Sequence, residues 1–169
     1  AIRMGRPADA RDHAQAARPA ALRSGNPSLI AWAHLRLAIA LGRLRQSPAA
    51  LDSAWQAARV ASEAGLTLEE GRAFAAAAGA LYQMSKPKEV AAAGLRAARL
   101  ARQCGDFQGL GHALNAVAIV EPDLAARLRL QRESEAAYRA AGDLNGLATN
   151  RYNLAAAYMH LGLYHRAIR

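Results

Sequence analysis

The chain has 169 residues, of which 53% are hydrophobic but only 5% aromatic, and its formal net charge is +9. This length suits one domain with a substantial core and excludes two domains of ordinary size. No run reaches the ~20 apolar residues that a membrane span needs. No apolar leader is visible near the start either. We therefore predict no membrane partner. The lone Cys104 cannot form an intramolecular disulfide, which favours a reducing, cytoplasmic location.

Residues 1–27 form the first predicted element, a helix that precedes the repeats. The segment is rich in alanine, the residue with the highest helix propensity. Pro19 lies inside it, and an internal proline removes one backbone hydrogen bond and clashes with the preceding turn. We therefore expect Pro19 to kink or break this helix.

Glycines punctuate the rest of the chain at nearly equal intervals, and each closes a long alanine-rich run. Gly25, Gly65, Gly105 and Gly142 are spaced by 40, 40 and 37 residues. A period of 20–50 residues is typical of solenoids, in which similar small units stack into one continuous core. Alternating runs rich in β-branched residues are missing from the sequence. The predicted fold class is therefore all-α, an α-solenoid of antiparallel helix pairs with its repeat array over 28–169, which forms a single domain with the preceding helix.

The first predicted unit, 28–65, contains helix A over 28–43 and helix B over 47–63. Ser47 and Pro48 have the pattern of a helix start. Serine is a good N-cap, and proline at the first helical position loses no hydrogen bond.

The second unit, 66–105, repeats this plan, with helix A over 68–83 and helix B over 88–103. Thr67 and Glu70 have the spacing of a capping box, in which each side chain accepts a hydrogen bond from the other residue's backbone N–H.

The third unit, 106–142, has helix A over 108–120 and helix B over 124–140. This unit is shorter than the others by about one helical turn, and the missing residues fall where the two helices are connected. The fourth unit, 143–169, is truncated within its second helix. We therefore interpret the chain as a fragment of a longer protein.

The fourth unit resembles the tetratricopeptide repeat family. Its segment 153–167 matches the NLA-x-x-Y-x-x-LG-x-Y-x-x-A pattern, including Ala155, Tyr158 and Gly162. Counting back by unit, the small residue Ala155 corresponds to Ala118, then to Ala78 and Ala38. The resemblance implies a right-handed superhelix whose A helices line a concave groove. The long period resembles the variants found in bacterial signalling proteins, which are often joined to cyclase or DNA-binding output domains.

The same resemblance selects candidate ligand-binding residues on the A helices. Trp32 and Tyr82 have an alternative interpretation, since large aromatic side chains also fill gaps between repeats. The candidates are Trp32, Arg36, Arg43, Arg72, Tyr82, His112, Asn115, Asn150, Tyr152, Asn153 and His160.

No catalytic, cofactor or metal site is predicted. The five histidines include no pair at i, i+4, the spacing that would place two imidazoles on one helix face. The sequence favours a protein- or peptide-binding scaffold and not an enzyme. Two alternatives stay open. The arginines could form a nucleic-acid-binding surface instead of solvated helix faces, or the open solenoid end could mediate self-association.

Overall fold

The computed structural model describes residues 6–160 and residue 162. Within that part of the chain all regular structure is α-helical, which confirms the predicted all-α class. The helices are α1 (Pro7–Ser24), α2 (Pro27–Arg43), α3 (Ser47–Glu63), α4 (Thr67–Gln83), α5 (Pro87–Cys104), α6 (Phe107–Val120), α7 (Leu124–Ala141) and α8 (Leu144–His160).

Two layers of helices form the solenoid. The A helices are α2, α4, α6 and α8, and each contacts the next A helix along the chain. The B helices are α3, α5 and α7, and in the described part of the chain none of them contacts another. Helix α1 packs on α2 in the way that a B helix packs on the following A helix. The A layer is therefore the more closely packed of the two layers.

Alanine makes this close packing possible. The predicted small positions Ala38, Ala78 and Ala118 are all buried, with exposed fractions of 4%, 0% and 0%. Alanine also dominates the contacts between layers, where Ala54 and Ala77 are completely buried. A side chain that ends at Cβ lets two helix backbones approach while still removing apolar area from water.

Most connections between helices contain one residue in the left-handed backbone region, which ends the preceding helix. The predicted glycines all have φ between 63° and 70°, where glycine carries no Cβ penalty. Arg45 (φ 61°) and Ser85 (φ 57°) close the connections from α2 to α3 and from α4 to α5 in the same conformation. Glu121, at the end of α6, is instead extended. Helix α6 has 14 residues where α4 has 17, so the predicted shortening before α7 is confirmed.

Three local predictions were wrong. Ser47 is the first helical residue, since Gln46 occupies the N-cap position, and its hydroxyl donates to Gln83 Oε1 of the next repeat at 2.7 Å. The capping box of Thr67 and Glu70 does not form, because Glu70 is buried and its carboxylate accepts a hydrogen bond from Arg96. Pro19 does not break α1. It lies on the exposed side of that helix, so the helix loses one hydrogen bond without losing its packing against α2.

Candidate binding surface on the A helices

Trp32 is the centre of the candidate surface. It projects from α2 and is partly buried against the cluster formed by Leu35, Ala57 and Ala73. The guanidinium carbons of Arg36 and Arg72 lie 5.2 Å and 5.4 Å from the centroid of its ring system. An indole face attracts cations through its quadrupole. The Trp32 side chain fills the gap between α2 and α4, as its packing interpretation expects, and it also positions two arginines.

Arg72 is held from its other side by Asp106. Its Nε and Nη2 atoms donate hydrogen bonds to the two carboxylate oxygens at 2.8 Å and 3.0 Å. Asp106 is also the N-cap of α6 and accepts the N–H of Gly109 at 3.1 Å. Burial raises the pKa of Asp106, but the hydrogen bonds from Arg72 and Gly109 outweigh this effect and hold that pKa below its usual range. This pair ties the second repeat to the third.

His112 occupies the position in the third repeat that corresponds to Arg72. Its Nδ1 lies 2.9 Å from the hydroxyl of Tyr138, and its Nε2 lies 3.5 Å from the carboxylate of Asp143. Burial lowers the pKa of His112, and the nearby carboxylates of Asp143 and Asp106 only partly compensate. Burial, followed by the charge of Asp143, raises the pKa of Tyr138. The Tyr138 hydroxyl therefore stays protonated and shares a hydrogen bond with Nδ1 of the His112 imidazole.

Asp143 repeats the role of Asp106 one unit later. Its carboxylate accepts the N–H of Gly146 at 2.9 Å and a hydrogen bond from the Gln108 side chain at 3.0 Å. Sequence reasoning did not select either aspartate as a site residue. Their position in the sequence could have indicated them, because both aspartates directly follow a glycine that closes a repeat. Only the tertiary contacts reveal that each aspartate binds a side chain of the preceding A helix.

Two predicted groove residues lie inside the structure. Asn150 is completely buried and donates to the backbone carbonyl of Gln131 at 3.0 Å. Asn115 is also buried, with 9% exposure, and accepts a hydrogen bond from Asn153 Nδ2 at 3.1 Å. Both assignments to the groove were wrong, since these positions face α7 and the neighbouring A helix. Asn153 is half-buried and links α8 to α6.

The remaining candidates are separated along the solenoid. Tyr82 is half exposed near the end of α4, roughly 15 Å along the helix from Arg72 at 1.5 Å per residue. Tyr152 is 75% exposed on α8. Arg43 is exposed in the last turn of α2. The side chain of His160 lies outside the described residues.

Chemically, this surface offers cationic and aromatic groups and preformed hydrogen bonds. Among residues 6–160, no three histidine, cysteine or acidic side chains come close enough to hold a metal ion. None of the described helices is both long enough and apolar enough to cross a membrane.

Together, the fold and the surface define an all-α helical-repeat protein in which successive A helices contact one another. No family model matches the chain, and no curated protein matches it either. Solved structures do match. One is the crystal structure of BtubC (BKLC) from P. vanneervenii, with a TM-score of 0.74 over 94% of this chain and 69% of that chain. The two sequences are 17% identical, so the likeness concerns the fold alone.

Proposed function

We propose that this chain is a tetratricopeptide-like module that binds a protein or peptide along its A-helix face. It would act as a scaffold or sensor, without catalytic activity, within a larger bacterial signalling or regulatory protein of the cytoplasm. The observation that carries the proposal is the arrangement of Arg36 and Arg72 on the ring of Trp32. Tryptophan and arginine are the residues most enriched at energetic centres of protein interfaces.

Preorganisation supports a binding role for this cluster. Arg72 is fixed by two hydrogen bonds to Asp106 and by its contact with Trp32. Arg36 forms no ion pair within the described residues and is exposed, so its donors remain available to a ligand. A side chain that is already ordered loses less entropy when a ligand binds. An acidic or carbonyl-rich peptide would suit these donors.

The family assignment within this proposal rests on sequence and spacing. The tetratricopeptide-like pattern covers 153–167, and the small residue of that pattern recurs as Ala38, Ala78 and Ala118. Burial of those three alanines is what such a repeat requires of them.

Selection of peptides from a random library tests the proposal. We would pan a phage-displayed 12-residue library against the whole chain, synthesise the enriched sequences with a fluorophore, and measure their affinity by anisotropy. We expect Arg36→Ala to weaken binding about tenfold, equivalent to about 1.4 kcal/mol. The matched control Arg99→Ala, which removes an exposed arginine from α5, should change little. Failure to enrich any peptide, or equal binding by Arg36→Ala, would reject this site.

A labelled 20-base-pair DNA duplex tests the arginine-surface alternative in the same assay. Several arginines are already paired with acidic side chains, including Arg96 with Glu70 and Arg102 with Glu133. Phosphate binding would show a steep fall of affinity with salt. A shallow salt dependence with the selected peptides, and weak binding of the duplex, would favour the protein-binding module.

A further inference from the structure

Each B helix packs on its two flanking A helices, and three of its residues form the seam between them. These seam positions recur at the repeat spacings of 40 and 37 residues. They are filled by Ala54, Ala57 and Ala61 in α3, by Gly94, Ala97 and Ala101 in α5, and by Gln131, Ser134 and Tyr138 in α7. All nine residues are buried. The seam of α7 is therefore bulky and polar where the earlier repeats use only small residues.

Helix α8 differs from the earlier A helices at the matching position. Asn150 lies where α4 has Ala73 and α6 has Ala113, and all three residues are completely buried. Its Nδ2 donates to the backbone carbonyl of Gln131 at 3.0 Å. Within the described residues, however, Gln131 Oε1 and Asn150 Oδ1 accept no hydrogen bond. A buried acceptor without a donor carries a desolvation cost that is removed when water reaches it.

The other two seam residues of α7 are anchored on α6. Ser134 donates to the backbone carbonyl of Gly111 at 2.9 Å. The ring of Tyr138 lies against Gly111, and its hydroxyl shares a hydrogen bond with His112. On its other side the ring meets Gly146 of α8. If α8 moved away, both side chains would therefore keep their partners on α6.

Side-chain hydrogen bonds supply further contacts between α8 and the preceding helices. Asn153 donates to Asn115 at 3.1 Å, and Arg151 donates to the carboxylate of Glu135 at 3.2 Å. Water can replace such bonds, so each one contributes little net free energy. In the described part of the chain, the buried hydrophobic clusters draw on α1–α7 and on no residue of α8. Helix α8 is therefore attached more weakly than α2, α4 and α6.

We propose that the α7–α8 seam is a joint, at which α8 separates reversibly while α1–α7 stay folded. A repeat array permits such an opening, because each unit contacts only its neighbours. Opening hydrates the two unsatisfied amide oxygens and exchanges polar contacts for contacts with water. It also carries Tyr152 and Asn153 away from the other A helices, so the joint sets the fraction of molecules with a complete A-helix face. This switch goes beyond the proposed function, and both sides of the joint lie within the described residues.

Hydrogen exchange of the whole chain, followed by mass spectrometry of peptic peptides, measures the opening. Helix α6 is the reference, because it is the equivalent A helix one repeat earlier. We expect amide protection factors in α8 to be at least about tenfold lower than those in α6. Equal protection of the two helices would refute the joint.

A paired substitution distinguishes the joint from the ordinary fraying of an outer helix. Gln131→Met together with Asn150→Leu nearly keeps the side-chain sizes and removes both unsatisfied oxygens. Replacing both members of a buried polar pair by apolar groups of similar shape removes their desolvation cost. Protection of α8 should therefore rise about tenfold, while that of α2 stays unchanged. Unchanged or lower protection of α8 would show that the amides do not weaken the seam, and would overturn the proposal.

Two further variants keep this test decisive. Gln131→Met alone removes one unsatisfied oxygen and retains the Asn150 hydrogen bond, so it should raise the protection of α8 by a smaller factor. It replaces the double variant if circular dichroism shows that the latter does not fold. Gly79→Ala is the control, because it favours helix at an open position of α4 and should raise protection there without changing α8. Equal gains in α4 and α8 would show that the array opens as one body, and would refute the joint. No peptide is needed, so peptide binding is judged separately.

Discussion

The carboxylate of Asp106 serves two helices at once: it accepts two hydrogen bonds from the Arg72 guanidinium and one from the N–H of Gly109. It therefore caps α6 and fastens α6 to α4, although 34 residues separate it from Arg72. In a solenoid each repeat contacts only its neighbours, so contacts between units determine whether the array unfolds as one body.

Asp106→Ala should destabilise the fold more than the loss of an ordinary helix cap. It removes the cap and leaves a partly buried guanidinium without its acceptor, at a combined cost of roughly 2 kcal/mol. The control is Asp123→Ala, which removes the cap of α7, where the carboxylate accepts the N–H of Ala126 and, in the described part of the chain, no guanidinium. That variant should lose about 1 kcal/mol. Urea unfolding followed by circular dichroism measures both, and equal losses would show that Arg72 contributes nothing.

Stability should fall as the solution becomes mildly acidic, because the protein surroundings of His34 and His112 disfavour protonation of their imidazoles. Burial lowers the pKa of His112, and burial together with Arg18 lowers the pKa of His34. The unfolded chain takes up protons near the ordinary histidine pKa of about 6.5, before the folded chain does. The contribution of these histidines to the free energy of unfolding therefore has its full value above about pH 7. It decreases as the pH drops below about 6.5.

Urea midpoints at pH values between about 5 and 8 check this dependence. His112→Gln should flatten part of the slope, and the double variant with His34→Gln should flatten more of it. The lowered pKa of Asp106 and Asp143 acts below about pH 5, where the carboxylates of the unfolded chain begin to be protonated, and so lies outside this window. An unchanged slope in the double variant would contradict the assignment.

Arg45→Gly should stabilise the protein by roughly 0.5–1 kcal/mol, because Arg45 closes α2 in a conformation that is unfavourable for a residue with a Cβ. The opposite change, Gly65→Ala, should destabilise by about 1 kcal/mol at the corresponding position after α3. Arg43→Gly is the control, since it places glycine at the last residue of α2, where no left-handed backbone is relieved, and should cost up to about 1 kcal/mol. Thermal unfolding of the three variants distinguishes the cases. A loss of stability in Arg45→Gly would show that the side chain has another role.

Gly111→Ala and Gly146→Ala should each destabilise by roughly 1–3 kcal/mol through overpacking. These glycines of α6 and α8 lie on the buried ring of Tyr138. A Cβ at residue 111 would come within 2.7 Å of that ring, and a Cβ at residue 146 would also collide with it. Gly79→Ala is the control, because a Cβ there meets open space and alanine favours the helix by about 1 kcal/mol. Urea unfolding measures all three. A destabilised Gly79→Ala, or unaffected variants at the Tyr138 ring, would contradict this packing.

The number of described helices and most of their boundaries could be predicted from the sequence, because those features depend on local chemistry. Alanine-rich runs favour helix, prolines such as Pro87 mark the first turn, and glycines such as Gly105 close helices with a left-handed residue. Burial of the small residue in each repeat followed from the period, since equivalent positions in stacked units meet equivalent neighbours. The fold class and the length of the repeat unit could therefore be predicted from the sequence.

Only the tertiary structure decided what each polar side chain on an A helix contacts. Such a helix faces its own B helix, the neighbouring A helices and solvent. A repeat period of 40 residues does not distinguish among these faces. Asn150 and Asn115 were placed in the groove for that reason, yet their amides bond to α7 and α8. Glu70 looked like a local cap, but a distant guanidinium binds it more strongly than a backbone N–H would. Long-range partners of this kind arise from helix stacking, which local sequence does not specify.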